Sequence, residues 1–225
     1  PNSLAHKRVS DILVSRQDPN IVWIGHSQKG FSRLNRDTGQ ITQARQLISE
    51  ENTLSDGRVN CLFEDKEHTL WIGTWFGLNW LDQDTLQFGH YPPDASDPDL
   101  KIPVNIWAIG EDASGAIWVG TRKGGLYRLD KASGQFTRYL SDPNDEQSLS
   151  HDHIRSLFRD SRDVLWVGTR DGVSRYDSET DSFTRFIHSH FPFGDHGWAH
   201  FNVIQTILED GGGNCGWAVK TGYMS

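Results

Sequence analysis

The sequence predicts an all-β chain of four-stranded antiparallel β-propeller blades, on two observations. The tripeptides Trp23-Ile24-Gly25, Trp71-Ile72-Gly73, Trp118-Val119-Gly120 and Trp166-Val167-Gly168 recur at spacings of 48, 47 and 48 residues. Around each lie four short runs rich in Val, Ile, Phe, Tyr and Trp, separated by Gly, Asp, Asn and Ser, which is the pattern of strands and turns. Four strands in a repeat of about 45 residues describes a propeller blade; a β-helix needs shorter repeats, and a sandwich does not repeat its sequence. No run has the period or length of a helix. The 225 residues hold about 4.6 such units, so an incomplete propeller forming an open arc is expected.

The blades are expected at approximately 4–48, 54–98, 102–145, 149–190 and 200–225, the last truncated. The first copy is loose, with Pro19-Asn20 lengthening its first turn. The second has its four runs at 59–65, 70–74, 77–82 and 87–91. The third is the fullest, at 106–112, 117–121, 125–130 and 135–139. The fourth follows at 154–160, 165–169, 172–177 and 182–186. The fifth begins well at 204–210, but Cys215-Gly216-Trp217-Ala218-Val219 stands where Leu-Trp-Val-Gly-Thr belongs. Gly222 falls back into register, so no residue has been gained or lost. Codons for Leu-Trp-Val-Gly read one base late can give Cys-Gly-Trp-Ala, which fits a local reading-frame slip. Side chains alternate along a strand, so Trp217 is expected on the face opposite the other blades' Trp.

The repeated residues have physical roles. The strand-two Trp is a large apolar plate for packing one blade on the next. Gly two residues on shares its face, and its missing side chain lets the neighbouring blade approach. Together these account for much of the excess of nine Trp and 22 Gly. The third residue of each innermost strand is Asp11, Cys61, Ala108, Ser156 and Thr206, all short, as expected where strands converge on an axis. Asp65, Asp112, Asp160 and Asp210 end strand one, where an Asp bonds the amides of its own turn. Their recurrence in four of the five copies argues against a catalytic role.

Composition narrows function further. With 22 basic against 30 acidic residues, the net charge of −8 disfavours nucleic acid as a partner. Mean hydropathy is −0.58 and no apolar stretch of about 18 residues exists, so no membrane insertion is expected in this segment. Pro1-Asn2-Ser3-Leu4 lacks the basic-then-apolar pattern of a signal peptide, which leaves an upstream leader in a longer parent open. Two Cys exclude a disulfide framework and a multi-Cys metal site. Cys61 reads as a small core residue not paired with Cys215.

The motif Leu/Ile-Trp-Ile/Val-Gly-Thr, followed by Gly-Leu and an Asp turn, resembles the two-component regulator propeller repeat, in four good copies and one partial copy. That resemblance implies the extracytoplasmic, periplasmic sensor region of a bacterial signal-transduction receptor, in some members sensing polysaccharide fragments. It also implies a kinase or cyclase beyond a membrane helix, and seven blades in the parent. The chain itself carries no kinase, cyclase or membrane motif, so a non-catalytic sensor module is expected, without cofactors. The remaining blades of the parent are its expected partners. An open arc exposes two apolar blade faces and invites self-association.

Function is expected on the face that holds the long connections at 140–153 and 187–202 and the strand two-to-three loops. Non-repeating residues there are the candidates. Trp75, Phe76, Trp107, Arg122, Lys123, Arg170 and Asp171 combine aromatic plates with fixed charges, which suits a small polar or oligosaccharide ligand. His151 with His153, and His188 and His190 with His196, are weak metal candidates, two-apart His sharing a strand face. Arg138, Arg155, Arg175 and Arg185 read as strand-face or rim charges. A propeller lyase or glycosidase would need non-repeating acid–base groups at the channel mouth, and Asp171, Asp195 and His196 are the weak candidates. A scaffold that binds protein without any small ligand is the alternative.

Overall fold

A computed structural model describes residues 3–44, 54–91, 105–186 and 203–219. Eighteen strands, β1 to β18, lie among them. The first copy holds β1 (Val9–Val14), β2 (Ile21–His26), β3 (Phe31–Asn35) and β4 (Ile41–Gln43). The second holds β5 (Val59–Glu64), β6 (Thr69–Thr74), β7 (Gly77–Asp82) and β8 (Phe88–Tyr91). The third holds β9 (Ile106–Glu111), β10 (Ile117–Thr121), β11 (Leu126–Leu129) and β12 (Phe136–Tyr139). The fourth holds β13 (Ile154–Arg159), β14 (Leu165–Thr169), β15 (Val173–Asp177) and β16 (Ser182–Phe186), and the fifth β17 (Ile204–Glu209) and β18 (Cys215–Val219). Each copy forms its own sheet with strands in chain order, four-stranded in the first four copies and two-stranded in the fifth. The sheets are antiparallel, and none closes into a barrel. Four-stranded antiparallel sheets of this kind are the predicted blade architecture. The chain divides into two compact units, 1–109 and 110–225.

In the first unit Trp23 is buried among Val59, Leu62, Leu70, Ile72, Leu81 and Phe88, all from the following blade. In the second, Trp118 is buried in the same way among Ile154, Leu165, Val167, Tyr176 and Phe183. The paired Gly works as expected. A Cβ on Gly73 would lie 2.6 Å from Ile106 Cγ2, and one on Gly168 would lie 2.8 Å from Ile204 Cγ2. Both contacts are with the first strand of the next blade, so no larger residue fits.

The short third residue of strand one has a neighbour inside its own sheet. A Cβ on Gly73 would meet Cys61 Sγ at 2.5 Å, and Ser156 Oγ crowds Gly168 in the same way. The pairs are Asp11 with Gly25, Cys61 with Gly73, and Ser156 with Gly168. Cys61 and Ser156 thus lie against the strand-two Gly, whereas at Gly25 the nearby strand-one atom is Ser10 Oγ. Register shifts at Val9/Asp11, Val59/Cys61, Ile154/Ser156 and Ile204/Thr206 skip the second residue. Ser10, Asn60, Arg155 and Gln205 are therefore bulge residues, re-aimed out of the ladder.

The turn between strands one and two is built alike in four copies. Asp65 Oδ1 accepts the amides of Glu67 and Thr69, and Oδ2 accepts Trp71 Nε1 at 2.9 Å. Asp112 holds Ser114, Ala116 and Trp118 likewise, and Asp160 holds Arg162, Val164 and Trp166. The residue before that Asp reaches back to the preceding blade. Glu64 accepts the Arg16 and Gln17 amides, Arg159 Nη1 donates to Asp112 O, and Glu209 accepts Ser161 N.

In the fifth copy Trp217 pairs with Ile207, as Val167 pairs with Leu157. It therefore faces opposite to Trp166, as predicted. Gly216 stands opposite Leu208, where Phe158 has Trp166, and Leu208 is left 63% exposed.

Candidate functional site

The loop joining strands two and three is closed by the last residue of the Trp-x-Gly-Thr motif. Thr74 Oγ1 donates to Gly77 O, Thr121 Oγ1 to Gly125 O and Thr169 Oγ1 to Gly172 O, at 2.9–3.0 Å. The acceptor in each case is a Gly with φ of +141°, +82° and +90°, a region side chains avoid. A second tie anchors the loop to the entry of strand one. Trp75 N donates to Arg58 O at 3.3 Å, and Arg170 N to His153 O at 2.9 Å. The two residues following the Thr are thus presented on a fixed corner beside the residue that precedes strand one.

In the first unit this corner gathers aromatic rings around one guanidinium. Arg58 Cζ lies 4.5 Å from the Trp75 ring centroid and 5.4 Å from that of Phe76. Its fork is held by Asp56, with Nε on Oδ1 at 2.9 Å and Nη2 on Oδ2 at 2.8 Å. Those hydrogen bonds keep the Asp56 carboxyl below its ordinary range. Trp107 joins through Asn105, whose amide donates to Trp75 O at 2.7 Å and whose Oδ1 accepts Trp107 Nε1 at 2.8 Å. Trp75 is half-buried and Phe76 is 59% exposed. The three predicted aromatics therefore share one corner. Asp56, Arg58 and Asn105 were not anticipated. Their signal was positional, since each lies just before strand one, where the loop tie brings it to the strand two-to-three loop.

In the second unit the corner is cationic. Arg122 and Lys123 follow Thr121 and are exposed, and their loop is fastened to the 151–153 segment by Gly125 N on Asp152 O at 3.0 Å. Arg170 is exposed and Asp171 half-buried. His153 N donates to His151 Nδ1 at 2.8 Å, with the rings 6.4 Å apart. Burial pushes His153 down to about 4, helped by Arg155, His151, Arg122 and Arg170. Arg155 itself is pushed down, by burial first and then by Arg122 and Arg170. Arg122 and Arg170 thus both act on the bulge residue Arg155, which is no simple rim charge. Arg185 is also more than a rim charge. It donates to the carbonyls of Ser148, Asp142 and Asp145 and so holds the 140–153 connection.

His151 Nδ1 is occupied by the His153 amide, which removes that atom as a metal ligand. Among the described residues no group of three His, Cys, Asp or Glu is placed to hold a metal. His188, His190, Asp195 and His196 lie outside the described residues. Cys61 and Cys215 are free thiols. No helix among the described residues is long and apolar enough to cross a membrane.

The two component regulator propeller model matches residues 53–76, 101–123 and 148–171, three copies of the segment that runs through strands one and two. No curated protein matches the chain. Among solved structures, the extracellular domain of a one component system from B. thetaiotaomicron superposes with a TM-score of 0.71 at 20% identity, over 97% of this chain and 27% of that one. The extracellular domain of a hybrid two component system from the same organism gives 0.71 at 17% identity, over 96% of this chain and 33% of that one. Virginiamycin B lyase from Staphylococcus aureus gives 0.67 at 18% identity, over 93% of this chain and 62% of that one. At these identities the likeness is one of fold. The chain spans a third or less of the length of those two extracellular domains.

Proposed function

The chain carries two component regulator propeller repeats, and from that premise we propose that it is a ligand-sensing propeller, part of the extracytoplasmic sensor region of a bacterial signal-transduction receptor. Its ligand is a carbohydrate, and the binding corner is that of the first unit. The observation that supports this is the ring pair Trp75 and Phe76 around the Asp56-held Arg58. An exposed aromatic face beside a fixed fork of donors suits a sugar ring, which stacks its apolar face while its hydroxyls bond polar groups. The polar groups of the corner satisfy one another as an ion pair and do not form an acid–base pair poised for chemistry. That favours binding over turnover, in keeping with the sensor-domain likeness rather than the lyase likeness.

A thermal-shift screen of the chain against neutral and acidic oligosaccharides tests the proposal, because a ligand that binds only the folded state raises its melting temperature. At least one saccharide is expected to raise it, and Trp75→Ala to abolish the shift. Hydrolysis or elimination of any glycan in the screen would overturn the non-catalytic part of the reading.

A further inference from the structure

We propose that the corner of Trp75, Phe76 and Arg58 selects an uncharged sugar and rejects the matching uronate, with Asp56 as the residue that sets the choice. The inference rests on the carbohydrate reading and names the class of sugar that this corner takes.

The guanidinium of this corner is already matched. Asp56 accepts Arg58 Nε and Nη2 on its two oxygens at 2.9 and 2.8 Å, and Oδ1 also accepts the Arg58 amide at 2.7 Å. A fork and a carboxylate in this bidentate geometry form a closed pair with no net charge. The Asp56 side chain is 15% exposed and that of Arg58 40%, so the carboxylate is the more covered of the two and the guanidinium keeps an edge open to solvent.

What the pair leaves open are N–H donors. Arg58 Nη1 makes no hydrogen bond among the described residues. Nor does Nδ2 of the half-buried Asn105, whose Oδ1 accepts Trp107 Nε1 and whose amide is fixed on Trp75 O at 2.7 Å. Sugar hydroxyl and ring oxygens accept from such donors and bring no charge. A uronate carboxylate gains the same hydrogen bonds but stands beside Asp56, and a second carboxylate on one guanidinium repels the first. A built-in repulsion of this kind separates ligands of the same shape. The net charge of −8 adds to the bias. Lys29 lies in the adjoining loop, its amide 3.4 Å from where a Cβ on Gly57 would stand, and its exposed side chain is the cation that a uronate would have to use instead.

Calorimetric titration of the 225-residue chain at low ionic strength tests this with matched pairs. The pairs are α-1,4-galactotriose with trigalacturonate, β-1,4-mannotriose with trimannuronate, and cellotriose with its uronate. Each uronate differs from its neutral twin only in the oxidised C6. At least one neutral sugar is expected to bind, and its uronate about tenfold more weakly or worse. Asp56→Asn removes the charge and keeps the shape, so it should reverse the order and make the uronate the tighter ligand, which a merely structural role for Asp56 would not do. Asp37→Asn, an equal charge change on an exposed residue between β3 and β4, should leave the order as it is. Where Asp56→Asn does not fold, the order within a pair on the parent chain decides the proposal by itself. A uronate that binds as tightly as its neutral twin overturns the proposal and leaves the carbohydrate reading standing, and so does an order that a folded Asp56→Asn chain keeps. If none of these sugars binds, the carbohydrate reading falls and this inference with it.

Discussion

Asp65 is fully buried, and its two oxygens divide their work between a turn and an indole. A buried carboxylate is tolerated only when such donors replace water. Removing it strands two amides and the Trp71 indole, so Asp65→Ala should cost about 3 kcal/mol in urea unfolding. Asp210 holds only its own exposed turn, because Gly216 replaces the Trp, and Asp210→Ala should cost about 1 kcal/mol. Equal costs would contradict the double role. His153 gives the second expectation at this scale. The folded chain keeps it neutral down to about 4, whereas the unfolded chain protonates it near 6.5. Between these values the unfolded state binds the extra proton, so stability rises with pH across the window. The contribution is complete above pH 6.5 and is lost as pH falls toward 4. His153→Gln should flatten the profile of unfolding midpoint against pH in that window, and an unchanged slope would remove His153 as its source. The Asp turns were legible in the sequence because they recur in four copies and act locally. Arg58 and Arg155 were not, because their partners are brought in by loop ties and a bulge that a single strand's pattern does not display.

At the scale of the element, the Trp-x-Gly pair was legible because the strand alternation of two fixes which residues share a face. The bulge was not, and it changes what the neighbouring residues do: Cys61 and Ser156 lie against Gly although the ladder skips the residue before each. Glycine substitutions separate close approach from mere flexibility. Gly73→Ala places a Cβ 2.5 Å from Cys61 Sγ and 2.6 Å from Ile106 Cγ2, so about 1–3 kcal/mol of destabilisation is expected. A Cβ at Gly216 meets nothing within 4 Å, and Gly216→Ala should be neutral or stabilising by up to about 1 kcal/mol. Thermal unfolding of the two variants checks the contrast, and similar midpoints would deny that blade packing sets the need for Gly73. The scrambled window in the fifth copy still forms β18, since alternation and turn chemistry suffice for a strand even when the packing residue is misplaced.

At the scale of the whole molecule, blades within each unit cover one another through the strand-two face, while the outer face of β1 is exposed. Leu62 of β5 is 7% exposed against the preceding blade, whereas Ile12, its counterpart in β1, is 62% exposed, with Val9 and Val14 beside it. Such a face favours association. Sedimentation velocity should show concentration-dependent association that Ile12→Lys reduces, and an ideal monomer at all concentrations would count against it. The functional reading stands on the same repeat logic, because the informative residues are those that break the repeat on its fixed corners. The most direct test is calorimetric titration of an oligosaccharide identified by thermal shift into the chain and into Phe76→Ala, an exposed substitution that leaves the Asp56–Arg58 pair in place. The account predicts saturable binding, weakened about tenfold or more by loss of the ring. Binding of equal strength to both proteins would contradict it.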